Sequence, residues 1–204
     1  MAKIMNVDYE AMPNQAKQMR SEGKQLNSEM TKAYKSVGEM HNSWYGKRYN
    51  ELVKSFNEMI PQINDMLTLV VQEIPYALET IANNYSQADK GANATSASNE
   101  APNKITNLSI SNDVGMKFLT SNVSSVQKQI SSNFKNAKEQ MNKIESAYGK
   151  IKWSSEAADA FKAKFTKLKA SIVSSFENIE TQFTKLITQT QQDIENAEKA
   201  NTVN

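Results

Sequence analysis

At 204 residues the chain is long enough for one domain or two small ones, and having no cysteine it excludes disulfides and thiolate metal sites. A formal net charge of +2 argues against a nucleic-acid scaffold and against an acidic disordered tail. Six glycines and four prolines favour helix over sheet, and an apolar share of 39% with a mean hydropathy of −0.63 suits long thin helices that bury one narrow stripe each.

In chain order, Met1 to Asn6 lacks the apolar core of a secretory signal peptide. Met12, Ala16, Met19, Gly23, Leu26, Met30, Ala33, Val37, Met40 and Trp44 then recur at alternating steps of four and three. That is the seam a helix uses to pack lengthwise on another. A second helix is expected from about Lys47 to about Gln87, with Leu52, Phe56, Met59, Ile63, Met66, Val70, Ile74, Ala77, Ile81 and Tyr85 on its stripe. Pro61 and Pro75 each remove a backbone donor, but the stripe stays in phase across both, so they kink the helix without ending it. The most apolar run, Met66 to Val71, is too short to cross a bilayer.

Residues 90–110 change character. Lys90 to Asn99 is small and polar, Pro102 follows, and the segment reads as a flexible linker with too little apolar surface to fold alone. A third helix is expected to start near Ser111, Asn112 or Asp113, any of which can cap it. Its seam is Val123, Val126, Ile130, Phe134, Ala137, Met141, Ile144, Tyr148 and Ile151, and a fourth helix carries Phe161, Phe165, Leu168, Ile172, Phe176, Ile179, Phe183, Leu186 and Ile194.

The two halves match. Trp44-Tyr45-Gly46 and Trp153-Ser154-Ser155 each end one amphipathic stretch and open another, at an offset of 109 residues. Without a gap, Phe56 then falls on Phe165, Ile63 on Ile172, Val70 on Ile179, Ile74 on Phe183 and Leu78 on Ile187. The chain reads as one helix-turn-helix unit written twice. Gly46 or Ser155 relieves crowding at the reversal, and Trp44 or Trp153 lies across the open end and covers the last apolar layer. The plain reading of both Trp is a hairpin cap.

Groups able to do chemistry are few. His41 is the one histidine, so no His pair or Ser-His couple exists within one chain, and it reads as a surface or turn residue. There is no Gly-rich phosphate loop. Lys162, Lys164, Lys167 and Lys169 spread over more than one helix face and read as solvated charge. No enzyme, cofactor or metal site is expected.

A helical hairpin of about ninety residues turning at Trp-x-Gly resembles the WXG family of small secreted proteins, the early secreted antigen type. Trp153 to Phe161 is the best local match, and the first copy departs from the family pattern at Lys47, Arg48 and Tyr49. Tyr85-Ser86-Gln87-Ala88-Asp89, just after the second helix, fits Tyr-x-x-x-Asp/Glu, which the resemblance implies is an export signal for type VII secretion; on a helix the Tyr85 ring and Asp89 carboxylate share a face. The aligned place in the second half, Ile194 to Glu198, keeps the acid and lacks the aromatic.

The resemblance implies an all-α fold of two long helical hairpins forming an antiparallel four-helix bundle: a first hairpin over 1–89, a flexible linker over 90–110 and a second hairpin over 111–204. A helix of about forty residues is roughly 60 Å long, and the linker stretches to roughly 65 to 75 Å, so one chain just suffices and a swapped homodimer is the alternative. In function it implies a non-enzymatic protein exported by a type VII secretion ATPase, made in the cytoplasm and secreted without a cleaved signal peptide. It would act by protein–protein interaction, as partner or chaperone of a larger effector or another WXG-family protein. The Asn, Lys and Ser richness fits a low-GC Gram-positive host. A cytoplasmic adaptor bundle is the alternative, and a membrane-perturbing secreted factor comes third.

Because each hairpin exposes an apolar stripe, residues 1–89 and 111–204 expressed separately should be weakly helical or self-associating. Mixing them should restore cooperative melting by circular dichroism. A monomeric, cooperatively melting 1–89 fragment would count against the bundle.

Overall fold

The computed structural model describes residues 7–91 and 96–201. Met1 to Asn6, where no secretory signal was read, and residues 92–95 of the linker lie outside the described residues. Helix α1 spans Met12–Met40, strand β1 Trp44–Tyr45, and α2 Lys47–Leu67; a π turn over Thr68–Glu73 joins α2 to α3, Ile74–Lys90. Strand β2, Lys117–Phe118, precedes α4, Thr120–Gly149, and α5 spans Glu156–Asn201.

The periodic stripes are the core. On α1, nine seam residues from Met12 to Met40 are buried, and α4 and α5 bury Val123, Ile130, Phe134, Phe165, Phe176 and Phe183. All five residue pairs matched between the halves, Phe56/Phe165 through Leu78/Ile187, are buried too. Midway along the bundle each of four helices supplies one ring. Tyr34 of α1 meets Phe56 of α2 edge-on at 5.3 Å, Phe56 lies 5.8 Å from Phe134 of α4, and Phe134 stacks on Phe176 of α5 at 4.1 Å. The Tyr34 hydroxyl is satisfied inside this layer by donating to the Phe56 carbonyl, and burial pushes its pKa far above the usual phenol range.

The two prolines act differently. Helix α2 runs through Pro61 unbroken. Before Pro75 the helix widens, and the Ile74 N–H reaches back five residues to the Leu69 carbonyl. Pro75 has no N–H to give, and its ring would crowd the carbonyl four residues earlier, so the wider turn relieves both problems while the stripe stays inward. Helix α1 passes close to this turn at Gly23. A Cβ there would lie 2.7 Å from Val71 Cγ2 and 2.9 Å from Val70 Cγ2, and stiff β-branched neighbours yield little.

The hairpins lie antiparallel. Trp44, in the first turn, meets Phe183 far along α5, while the Asp8 N–H, before α1, donates to the Lys152 carbonyl of the second turn. The connection must therefore return the length of the bundle. From residue 96 to 119 it lies along the outer groove between α1 and α2–α3. Arg20 and Glu79 form an ion pair that holds both backbone groups of Ser98: Arg20 Nη2 donates to its carbonyl at 2.6 Å, and its N–H donates to Glu79 at 2.7 Å. Burial pushes the Glu79 carboxyl up, but the hydrogen bonds from Arg20 and Ser98 outweigh it and hold it below the usual carboxylate range. Asn27 donates to the Asn103 carbonyl at 2.8 Å, and Asn64, Asn57 and Asn50 hold Ile105, Leu108 and Ser111.

The segment expected to be flexible from its composition is, over its described part, a strap. The first hairpin supplies polar anchors that a reading of the segment alone does not count. The same anchoring moves the start of the third helix. It begins at Thr120, not at Ser111–Asp113, because the Ser111 backbone is taken by Asn50, the Asp113 carboxylate is taken by Ser111 and His41, and β2 pairs with β1.

Phe165 is 4% exposed. Phe165→Ala should cost about 3 to 5 kcal/mol in denaturant melting, the usual penalty for deleting a buried ring. A cost below about 1 kcal/mol would mean that the ring faces a partner or solvent.

Candidate recognition sites at the two ends of the bundle

At one end, α3 presents Tyr85 half-buried and Asp89 exposed, one turn apart. Gly91 closes the helix in the left-handed conformation, φ 63°, with its N–H on the Gln87 carbonyl at 3.0 Å. The segment leading into α1 comes down on this face. Tyr9 stacks on Tyr85 at 6.4 Å and 13°, and its hydroxyl donates to the Asp89 carboxylate. That bond raises the Tyr9 pKa, because ionising the phenol would set two anions against each other. Lys90 pairs with Glu10 and lies 5.6 Å over the Tyr9 ring.

The second turn reaches the same end. Gln15 donates to the Lys150 carbonyl at 3.3 Å, beside the Asp8–Lys152 backbone bond. Trp153 is half-buried and packs on Phe161 at 6.1 Å. With Tyr148, Ile151 and Phe165 it lines a cavity of about 410 Å³. Tyr85, Asp89 and Trp153 thus share one end of the bundle, with the chain's own Asp8-Tyr9-Glu10 meeting both parts. Tyr9 had no sequence signal: a lone aromatic ahead of a helix cap looks like any other.

The opposite end is built differently. Trp44 is 1% exposed, stacks on Phe183 at 5.9 Å and meets Phe118 and Tyr49 edge-on. The antiparallel pairing of Trp44 with Phe118 and Tyr45 with Lys117 covers it with the strap. On α5 its ring contact is with Phe183, and the first turn also lines a cavity with Gln189, Thr190 and Asp193, just before Ile194. The Trp44 ring meets Phe183 about three helical turns earlier, and α5 runs on past the turn to Asn201, with Arg48 pairing Asp193 on the way.

The third residue of each turn works by a different device. Gly46 has φ 117°, a conformation costly for any side chain, and a Cβ there would lie 3.3 Å from the Gly115 carbonyl oxygen. Ser155 instead caps α5: its Oγ accepts from the Ala158 N–H at 3.1 Å.

His41 follows the end of α1, and, against the expectation that a lone histidine leaves no Ser-His couple, its Nε2 bonds both the Ser111 hydroxyl at 3.0 Å and the Asp113 carboxylate, because the strap brings both onto the end of α1. Lys164 pairs with Glu73 and Lys169 with Glu145 across helices. Among the described residues no group of three or more His, Cys, Asp or Glu is placed to hold a metal, and no helix is long and apolar enough to cross a membrane.

A bundle of helical hairpins with a Trp-x-Gly reversal defines the class. The family it points to is reached through the first hairpin: residues 4–90, somewhat less than half of the chain, match the model of the WXG100 family, described as proteins of 100 residues with WXG, and it is this first hairpin that is a WXG-family unit. No curated protein and no solved structure matches the chain.

Gly46→Ala should destabilise the bundle by about 1 to 3 kcal/mol, from strain at a positive φ. Ser155→Ala should cost about 1 kcal/mol, the loss of one cap. Thermal melting of the two variants side by side checks the order; equal costs would mean that the first turn relaxes to a negative φ.

Proposed function

We propose that the chain is a non-enzymatic substrate of a type VII secretion system, exported as a folded helical bundle and acting by binding other proteins. The observation that carries this reading is the WXG100 match over residues 4–90, a family associated with type VII secretion substrates. Its support in the structure is the place of Tyr85 and Asp89, at the exposed end of α3 and next to the second turn. The second half, alike in burial pattern and in its turn, acts as the partner hairpin that a single-hairpin relative finds in another chain. Trp153 with Tyr85 and Asp89 is then a composite signal assembled from opposite halves, and the end holding Trp44 lacks the Tyr. A larger effector, or another WXG-family protein, is the partner that such a bundle escorts.

Detection in culture medium, with and without the secretion ATPase, tests export itself. Tyr85→Ala and Asp89→Ala should each abolish export while the bundle keeps a cooperative melt, the exposed Asp89→Ala changing stability by about 0.5 kcal/mol or less and Tyr85→Ala costing more because its half-buried ring stacks on Tyr9. Glu198→Ala should be exported normally. If Tyr85→Ala is exported, or if it unfolds the protein, Tyr85 is a core residue and not part of a signal; a protein retained in the cytoplasm in every background supports an adaptor bundle instead.

A further inference from the structure

Three asparagines one heptad apart on α2 hold the strap by its main chain alone. Asn64 Nδ2 donates to the Ile105 carbonyl at 3.0 Å, and the Ile105 N–H donates back to Asn64 Oδ1 at 2.9 Å. Asn57 closes the same two-bond ring on Leu108 at 3.0 and 2.8 Å, and Asn50 on Ser111 at 2.8 and 3.0 Å. A primary amide carries both donor and acceptor, so each side chain stands in for a peptide group of a neighbouring strand. The rungs stay in step for a geometric reason. Seven residues of α-helix rise about 10.5 Å, and three residues of extended chain cover about 10 Å. The strap therefore runs antiparallel to α2, one rung every third residue.

Its side chains are read separately. Ile105 is 7% exposed, and Leu108 packs onto the partly buried edge of the core. Gly38 of α1 lies against it: a Cβ there would stand 3.6 Å from Leu108 Cδ2, an ordinary packing distance. Main-chain bonds of this kind supply affinity for any extended chain, and pockets at fixed intervals supply selectivity, as when a peptide is added to a sheet edge.

We propose that the outer groove of the first hairpin is a peptide-binding site, with residues 105–111 as its tethered resident ligand. The class of ligand it takes is an extended polypeptide segment with aliphatic side chains three residues apart. A tether of this length holds the strap at roughly millimolar effective concentration, so an outside segment enters only once the strap is weakened or displaced. This site is independent of the export reading and lies along the groove, away from Tyr85 and Asp89.

The test is a fluorescence-anisotropy titration of a labelled synthetic peptide of residues 98–111 against full-length protein. In the host, residues 103–112 are replaced one for one by Gly and Ser. The peptide should bind this host saturably and at least tenfold more tightly than it binds the intact chain. Asn57→Asp with Asn64→Asp in that host should weaken binding at least tenfold, because each carboxylate keeps the acceptor and loses the donor. A peptide with Ser at the positions of Ile105 and Leu108 should also lose at least tenfold. If the Gly/Ser host does not melt cooperatively, the full chain carrying only Ile105→Ser and Leu108→Ser replaces it, with the same expectations. Absence of saturable binding to a folded host, or binding indifferent to the Asn changes, overturns the proposal.

Discussion

Two hairpins that pack antiparallel within one chain impose a topological demand: the connection has to travel the full length of the bundle. A loose connection would leave two dozen residues to wander over the surface, at a large cost in chain entropy when the halves meet. Here the cost is offset by polar side chains along the way. Glu79 and Arg20 take Ser98, Asn27 takes Asn103, and the three asparagines of α2 take Ile105, Leu108 and Ser111. The strap in turn fills the outer groove of the first hairpin and delivers Phe118 to the ring of Trp44.

From that route follows the inequality of the two ends. The strap arrives at the first turn and pairs with it, so Trp44 is dry and its glycine is locked in a conformation other residues avoid. The strap does not reach the second turn, which among the described residues meets the start of α1 and the segment leading into it, through the Asp8–Lys152 and Gln15–Lys150 bonds. Trp153 keeps a wet face beside a cavity, and its serine does the ordinary work of a helix cap. Sequence repeats need not produce equivalent surfaces. One connecting segment is enough to turn one copy of a motif into core and leave the other as surface.

Much of this was legible in the residues. The α1 seam could be read from its three-four spacing because burial of a helical stripe is a local periodic signal, and the offset between Phe56 and Phe165 carried the same signal to the second half. The antiparallel arrangement followed from the hairpin logic. What stayed hidden depends on partners distant in sequence. Asn50, Asn57 and Asn64 look like solvated positions until an extended chain with a three-residue period lies beside them. The start of α4 was misplaced because Ser111 and Asp113 are good caps locally and were claimed by Asn50 and His41. Tyr9 escaped notice because nothing near it in the chain says that Asp89 will be its neighbour.

The anchors from α2 to α3 fall at Asn50, Asn57, Asn64, Gln72, which donates to the Asn99 side chain at 2.9 Å, and Glu79, an even heptad except for one step of eight. The π turn over Thr68–Glu73 sits in that longer step and stores its extra residue. Elsewhere in a packed helix, losing one residue rotates everything downstream by about 100° and takes the buried face out of register. At this turn, a single-residue deletion would convert π to α and leave the flanking faces in phase, restoring only the crowding at Pro75 that the wider turn relieves. The bundle thus carries one place where a length change in the gene does not become a frameshift in the core.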